Sequence, residues 1–237
     1  MVKIEIEKLI EILEIEAPEK TYGRILECIN DNILRENGQI RYKNSCNSRY
    51  CPYCSNRLKS KEMKEIKKKL KKIEEKNYFL MTLNGNKVQE TELKREIESN
   101  NTAFNKLIRL KTLSDVLLGY AKVTEINYKK GRFKPHIHTI LIFRNSYHHQ
   151  FKLSRDKNIL QSYWNKYKKS NGLEIDIQGV KSIDKVISYL TISDKKKYLE
   201  MQPKEYEGII KAIKDKKRLY SYGGILSNKK TSRKRKS

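Results

Sequence analysis

Hydrophobic and polar positions change their period from segment to segment along this chain. Four short runs rich in apolar and β-branched residues are bounded by polar turns, which is typical of strands. They lie at residues 78–84, 119–128, 136–143 and 173–180. In the last run, "LEIDIQGV", apolar and polar residues alternate cleanly, as in a strand that buries one face.

Between and around these runs, apolar residues recur every three to five positions, which predicts helices. The order from residue 78 onward is β-α-β-β-α-β-α. This order predicts an α+β fold in which an antiparallel sheet carries helices packed on one face. The predicted helices lie at residues 1–18, 57–76, 92–113, 154–168, 182–191 and 203–216.

The net charge of the chain indicates what kind of partner it binds. Lysine and arginine number 53 against 28 acidic residues, a net charge of +25, and such an excess attracts polyanions such as nucleic acids. A membrane partner is disfavoured, because no apolar run approaches the ~20 residues that a spanning helix needs. The first residues are acidic and polar and do not resemble a signal peptide. We therefore expect a soluble, cytoplasmic protein.

Composition divides the chain into four predicted regions. Residues 1–21 form an acidic helix with six glutamates against three lysines, residues 22–77 a cysteine-rich module with a basic helix, and residues 78–227 the main domain. Residues 228–237 form a basic tail that we expect to be disordered. Both the tail and the basic helix either contact phosphates or are merely solvated.

The four cysteines are spaced C-x17-C-x4-C-x2-C. In a reducing cytosol such a cluster indicates a metal or redox site rather than disulfides. Four thiolates suit a closed, structural Zn²⁺ site. A three-cysteine site without Cys28, or free buried thiols, are the alternatives. The predicted zinc ligands are Cys28, Cys46, Cys51 and Cys54.

Basic and aromatic residues near these cysteines predict a DNA-binding surface. Arg49, Tyr53 and Arg57 would place positive charge and a stacking ring on one small surface. We add Lys134, which stands two residues before His136, to the predicted DNA contacts.

"HIHTILIF" places two histidines one residue apart at the start of an apolar strand. Alternate side chains share a face of a strand, so His136 and His138 point the same way and Ile137 the other. A hairpin with the preceding strand would bring Glu125 beside them. Two nitrogens and a carboxylate leave open positions for Lewis-acid chemistry on a phosphodiester. Mn²⁺ or Mg²⁺ suits this set, Zn²⁺ is an alternative, and structural histidines are the simpler interpretation.

These segments together resemble the HUH endonucleases, and within them the rolling-circle replication initiators of small plasmids of Gram-positive bacteria. "HIHTILIF" is similar to the core motif, "YFLMTLN" and "GYAKVTEINY" to the preceding strands, "CNSRYCPYCSNR" to the cysteine-rich segment and "KRLYSYGGIL" to the C-terminal glycine-pair segment. The resemblance covers about residues 22–227.

The resemblance implies a tyrosine that nicks origin DNA, leaving a 5′-phosphotyrosyl link and a free 3′-OH, and later rejoins strands. Position within "DKVISYLTISDKKKY" favours Tyr189 as the nucleophile, with Tyr198 as competitor. Lys185, four residues earlier on the same helix face, would stabilise the phenolate or phosphate. Some of these initiators carry a glutamate there for termination. Here Asp184, a second tyrosine or another subunit would have to serve.

The implied partners are single-stranded or hairpin origin DNA and the host replication helicase and polymerase. The oligomeric state is open. Two other functions stay in view. One is a relaxase- or transposase-like HUH enzyme, which the cysteine and glycine-pair segments match poorly. The other is a non-catalytic zinc-containing nucleic-acid binder.

Overall fold

The computed structural model of the protein describes most of the chain as five strands and seven helices. The described residues are 6–31, 45–73, 77–144, 153–180, 185, 201–213 and 219–227. The helices are α1 (Ile6–Glu16), α2 (Glu19–Asp31), α3 (Cys54–Leu70), α4 (Glu90–Leu107), α5 (Lys111–Ser114), α6 (Leu153–Lys168) and α7 (Pro203–Ile213). The strands are β1 (Asn77–Asn84), β2 (Leu117–Lys129), β3 (Arg132–Phe143), β4 (Ile175–Val180) and β5 (Tyr220–Gly224).

The strands form one antiparallel sheet in the order β4-β1-β3-β2-β5. The central pair β2–β3 is a hairpin closed at Lys130 and Gly131, both with positive φ. A two-residue turn with positive φ at both positions suits the right-handed twist of the two strands that it joins. The predicted α+β class with an antiparallel sheet is confirmed, and all four predicted strands are present within a few residues.

One face of the sheet is covered by α4 and α6. Their apolar side chains, including Phe104, Leu160 and Trp164, pack on Met81, Ile137 and other residues of the central strands in one buried cluster. Trp164 is fully buried and its indole N–H donates to the Asn84 carbonyl at 2.8 Å. These helices belong to the predicted helical layer.

The basic helix α3 covers part of the opposite face. Met63, Ile66 and Leu70 pack there against β1, β2 and β3. These three residues belong to the apolar stripe visible in the sequence, but the face that they cover was not predicted.

Strand β5 was not predicted either, and its glycine pair explains how it joins the sheet. A Cβ at Gly223 would lie 2.1 Å from the Tyr120 ring, and one at Gly224, with φ +59°, 2.0 Å from the Leu118 carbonyl. Because glycine lacks a Cβ, the chain approaches β2 closely at this edge.

The N-terminal helices form a third apolar cluster with the cysteines and α7. Leu9, Ile12 and Leu13 of α1 are buried there, as the helical pattern predicts. Cys28 of α2 and the segment 45–54 complete it, while Phe133 links it to β3. The predicted domain boundaries remain predictions. Among the described residues, no helix combines the length and the apolar character needed to cross a membrane.

Candidate active site and metal centres

The two histidines of β3 share one face of the sheet. Ile137 lies on the other face, fully buried in the cluster formed with α4 and α6. Ile140 and Ile142, in phase with the histidines, pack under α3. The predicted orientation of His136 and His138 is therefore confirmed, and it follows from the two-residue period of a strand.

Glu125 of β2 stands directly opposite His136 in the register. Its Oε2 lies 3.0 Å from Nε2 of His136 and 2.8 Å from Nε2 of His138. The three ligand atoms lie within 4.8 Å of one another and form a group that could hold a metal ion. Ligands ~2.1 Å from an octahedral ion stand about 3.0 Å apart along an edge, so these separations fit such a site.

The outer nitrogen of each imidazole has its own hydrogen-bond partner. Nδ1 of His136 lies 3.3 Å from the Lys134 carbonyl, and Nδ1 of His138 lies 3.2 Å from Oγ1 of Thr82. The carbonyl can only accept, so this contact is a hydrogen bond in the states of His136 in which Nδ1 is protonated. Such outer contacts orient metal-binding histidines. Thr82 was missed in the sequence, because pairing of β1 with β3 places it there.

The electrostatics of the cluster favour a carboxylate. Burial by itself raises the pKa of the Glu125 carboxyl, but the hydrogen bonds and charges of His136 and His138 outweigh it and lower the pKa below its ordinary value. The side chains keep 8–14 % exposure. The cluster therefore presents an anionic oxygen and two nitrogens to a ligand arriving from solvent.

A polar network behind the cluster holds the start of β3. The Pro135 carbonyl, directly before His136, accepts from the Gly85 N–H at 3.0 Å and from Nδ2 of Asn100 at 3.2 Å. Asn100 is fully buried in α4. Its position on the apolar stripe of α4, in phase with Leu93 and Leu107, was a signal in the sequence, since a polar residue there requires a partner.

A second part of this network fixes the loop that follows β1. Glu96 accepts from the Asn86 N–H at 2.7 Å and from Nζ of the buried Lys168 at 2.8 Å. Lys168 also donates to Ser99 at 2.8 Å. The loop beside the histidines is therefore tied to both α4 and α6.

The four cysteines converge as predicted. The Sγ atom of Cys54 lies 3.6 Å from those of Cys28 and Cys46, and the Sγ atoms of Cys51 and Cys28 are 3.8 Å apart. Thiolates 2.3 Å from a tetrahedral Zn²⁺ lie about 3.8 Å from one another. The donor set and its spacing thus fit a tetrahedral zinc ion.

The buried thiols differ in acidity. Hydrogen bonds, first from Cys51, lower the pKa of Cys46 to about 5 against the effect of burial. Burial raises the pKa of Cys28 to about 11, and the hydrogen bond to Cys46, with burial, raises that of Cys51. One thiolate is therefore preferred at neutral pH, and its negative charge opposes ionisation of the others unless a cation compensates them.

The predicted DNA contacts occupy different environments. Arg57 is exposed and donates to Oδ1 of Asn47 at 2.8 Å. Arg49 pairs with Glu62 and stacks over the Tyr220 ring at 5.5 Å. Lys134 is half-buried and in phase with His136 on β3.

Tyr53 requires a correction. Its side chain is 2 % exposed and packs in the cluster around the cysteines. A base cannot stack on a ring that is buried in this way, and we remove Tyr53 from the predicted DNA surface. The sequence placed it near the cysteines but did not show which way its ring points.

The predicted nucleophile Tyr189 and its competitor Tyr198 lie outside the described residues, as does Asp184. Lys185 is described, helical and exposed. The structure therefore leaves the roles of these residues as predictions.

The sheet, the three-ligand cluster and the cysteine site together are compatible with an enzyme or binding protein that acts on nucleic acid. The sequence profile of the replication protein family matches residues 37–237. The chain belongs to this family. The match begins after α2, so Cys28 precedes it.

Curated relatives named protein rep show the same affiliation. One from Staphylococcus aureus is 34 % identical over 128 residues, which covers 52 % of this chain and 55 % of the relative. One from Streptococcus pneumoniae strain D39 is 28 % identical over 212 residues, which covers 81 % of this chain and 65 % of the relative. This chain spans between 45 and 65 % of the length of the four matching relatives. No solved structure matches the chain significantly.

Proposed function

We propose that the protein initiates rolling-circle replication of a plasmid by nicking one strand of origin DNA with a tyrosine. The observation that carries the proposal is the convergence of Glu125, His136 and His138 on one face of the central strands, with Nε2–Oε2 separations of 2.8–3.0 Å. Membership of the replication protein family supplies the biological setting.

The reaction is a transesterification. The hydroxyl oxygen of Tyr189 attacks the phosphorus, the Oη–P bond forms and the P–O3′ bond breaks. The phenolic proton is passed on to the departing 3′ oxygen, so the products are a 5′-phosphotyrosyl enzyme and a free 3′-OH. The phosphoester bond is conserved, and strand rejoining by the reverse reaction needs no ATP.

The residues of this chain hold and orient the reacting groups. Glu125, His136 and His138 would bind Mn²⁺ or Mg²⁺, which polarises the scissile phosphate when bound. Thr82 and the Lys134 carbonyl orient the imidazoles. An ordinary tyrosine is a weak nucleophile at neutral pH, and Lys185, four residues earlier in the sequence, would stabilise its developing negative charge.

The cysteine cluster has a structural role in this proposal. Cys28, Cys46, Cys51 and Cys54 would bind Zn²⁺ as a closed site. The cluster links α2 to the segment before α3, and Tyr206 of α7 donates to the Tyr50 carbonyl at 2.7 Å. Zinc would thus fix α3 against the sheet near the metal-binding cluster.

A covalent-adduct assay tests the proposal. Single-stranded oligonucleotides tiled across the DNA that flanks the gene are incubated with the protein and Mn²⁺. The expected product is a protein–DNA adduct that is lost in Tyr189→Phe and in His138→Ala but kept in Tyr198→Phe. Loss in Tyr198→Phe with retention in Tyr189→Phe would transfer the nucleophile to Tyr198.

The alternatives predict other outcomes of the same assay. Failure to form an adduct with any oligonucleotide or divalent metal, despite measurable DNA binding, would favour a non-catalytic zinc-containing binder. Nicking outside an origin, for example at a transfer or transposition site, would favour a relaxase- or transposase-like enzyme.

A further inference from the structure

Helix α3 lies on the same face of the sheet as the metal-binding cluster. Its buried side packs on Val123, the register partner of His138, and on Ile140, two residues further along β3. The helix is therefore anchored directly to the strands that carry the histidines. A ligand that extends from the cluster toward Ile140 along β3 would reach α3.

The solvent side of α3 carries a continuous basic stripe. Steps of four, three, four and three residues separate its members, so their side chains project in one direction. All five are exposed. The stripe runs about 21 Å at ~1.5 Å per residue. Its members are Arg57, Lys61, Lys64, Lys68 and Lys71.

The two acidic residues of α3 lie beside this stripe. Glu62 is paired with Arg49 of the cysteine segment, and with Glu65 it lines a groove toward β5. Within the described residues, no ion pair engages Lys61, Lys64 or Lys68. The helix therefore presents uncompensated positive charge along one line, although its opposite side is apolar.

Helical spacing by itself is shared by the solvated face of any amphipathic helix, so the position and the charge of the stripe carry the distinction. Here the stripe is carried by a helix anchored beside the proposed nicking site, in a chain of net charge +25. An evenly spaced line of cationic side chains matches the regular charges of a nucleic-acid backbone. The line lacks exposed aromatic residues, which favours sequence-independent phosphate contacts over base readout.

We propose that this basic stripe of α3 binds the phosphates of the origin DNA next to the strand held at Glu125, His136 and His138. The inference rests on the proposed function, because it assigns to α3 the flanking part of the same substrate. The phosphates belong either to the single strand beside the nick or to the duplex stem of an origin hairpin.

Salt-dependent binding tests the assignment. The variant Lys61→Gln/Lys64→Gln/Lys68→Gln removes three charges with a residue of good helix propensity. Its control, Lys94→Gln/Lys106→Gln/Lys111→Gln, removes three charges from exposed positions on α4 and α5, in the layer on the other face. Affinities are measured by fluorescence anisotropy in the Tyr189→Phe background, where cleavage does not interfere, on origin and scrambled oligonucleotides.

Each lost phosphate contact is expected to lower the salt slope by ~0.7 for a single strand and ~0.9 for a duplex. On a single strand, the triple variant should therefore reduce the slope of log K against log salt concentration by about 2. At 0.1 M salt, each lost contact lowers the binding constant by a factor of ~10^0.7, so three lost contacts weaken binding by about 100-fold. The loss should be equal on scrambled DNA. The control should change affinity less than threefold, because distant charges are screened within ~10 Å.

If the salt slope changes only with hairpins that have a duplex stem, the stripe binds the stem. If the slope changes equally with hairpins and with unpaired oligonucleotides, the stripe binds the single strand. Equal effects of the two triple variants would overturn the assignment. So would unchanged DNA affinity with loss of binding to vesicles of anionic lipid, which would make the stripe a membrane contact. Adduct formation by the otherwise unaltered chain is scored separately, so failure of nicking and failure of this surface are distinguishable.

Discussion

The contact between Thr82 and His138 gives the sharpest test of the metal-binding cluster. In Thr82→Val the hydroxyl is replaced by a methyl group of similar size and the β-branched shape suited to β1 is kept. The change removes the hydroxyl that lies 3.2 Å from Nδ1 of His138. Glu125 and both Nε2 atoms are left in place.

The expected loss follows from the role of that contact. Mutation of such outer partners reduces metal affinity by ~10- to 100-fold, which corresponds to about 1.4–2.7 kcal/mol. The His138 side chain is 14 % exposed, so water only partly replaces the hydroxyl. Folding stability should fall by about 1 kcal/mol, the net value of one hydrogen bond.

Mn²⁺ affinity is measured by titration calorimetry on protein whose cysteine site is saturated with Zn²⁺. Thr139→Val is the matched control, because its Oγ1 donates to the Ala121 carbonyl at 3.1 Å on the opposite face of β3. It should lower stability without changing Mn²⁺ affinity. Thr82→Ser, which keeps the hydroxyl, should restore most of the affinity.

Equal Mn²⁺ affinity in Thr82→Val and the unaltered protein would refute this reasoning, provided that Glu125→Gln abolishes binding. If Glu125→Gln also binds normally, the cluster is not the Mn²⁺ site.

Two further predictions concern the cysteine site and the loop behind the histidines. Cys51→Ser should lower the zinc content below one per chain and remove several kcal/mol of zinc-dependent stability, seen as a thermal midpoint that no longer responds to a chelator; full zinc content would contradict a four-cysteine site. Gly85→Ala places a Cβ 2.4 Å from the Pro135 carbonyl and 2.5 Å from Nδ2 of Asn100, and should destabilise the protein by about 1–3 kcal/mol in chemical denaturation. Gly23→Ala, with nothing within 4 Å of its Cβ in α2, should instead stabilise by about 0.5–1 kcal/mol; equal effects of the two substitutions would refute the close approach.

Local features of the chain were sufficient for much of the site. The two-residue period of a strand placed both histidines on one face. The predicted turn at "KKGRFKP" (129–135) indicated a hairpin that brings Glu125 alongside them, although in the structure the turn is confined to Lys130 and Gly131 and β3 begins at Arg132. The cysteine spacing indicated a metal site, on the expectation of a location where disulfides are disfavoured.

Other features depended on contacts between distant segments. Pairing of β1 with β3 brings Thr82 to His138, and packing of α4 brings Asn100 to Pro135. The burial of Tyr53 corrected one predicted DNA contact. These contacts depend on which surfaces of distant segments pack together. A local sequence pattern indicates that a surface is apolar but does not indicate the surface that it packs against.

The sequence by itself determined four of the five strands, the facing of the histidines and the amphipathic character of α3. Each depends on backbone geometry that repeats every two residues in a strand or every three to four residues in a helix. Only the tertiary structure decided that α3 covers the metal-binding face and that β5 completes the sheet. Both depend on shape complementarity between segments far apart in the sequence. The apolar side of α3 packs on an apolar face of the sheet, and the two glycines of β5 permit a close approach to β2 that bulkier residues would prevent.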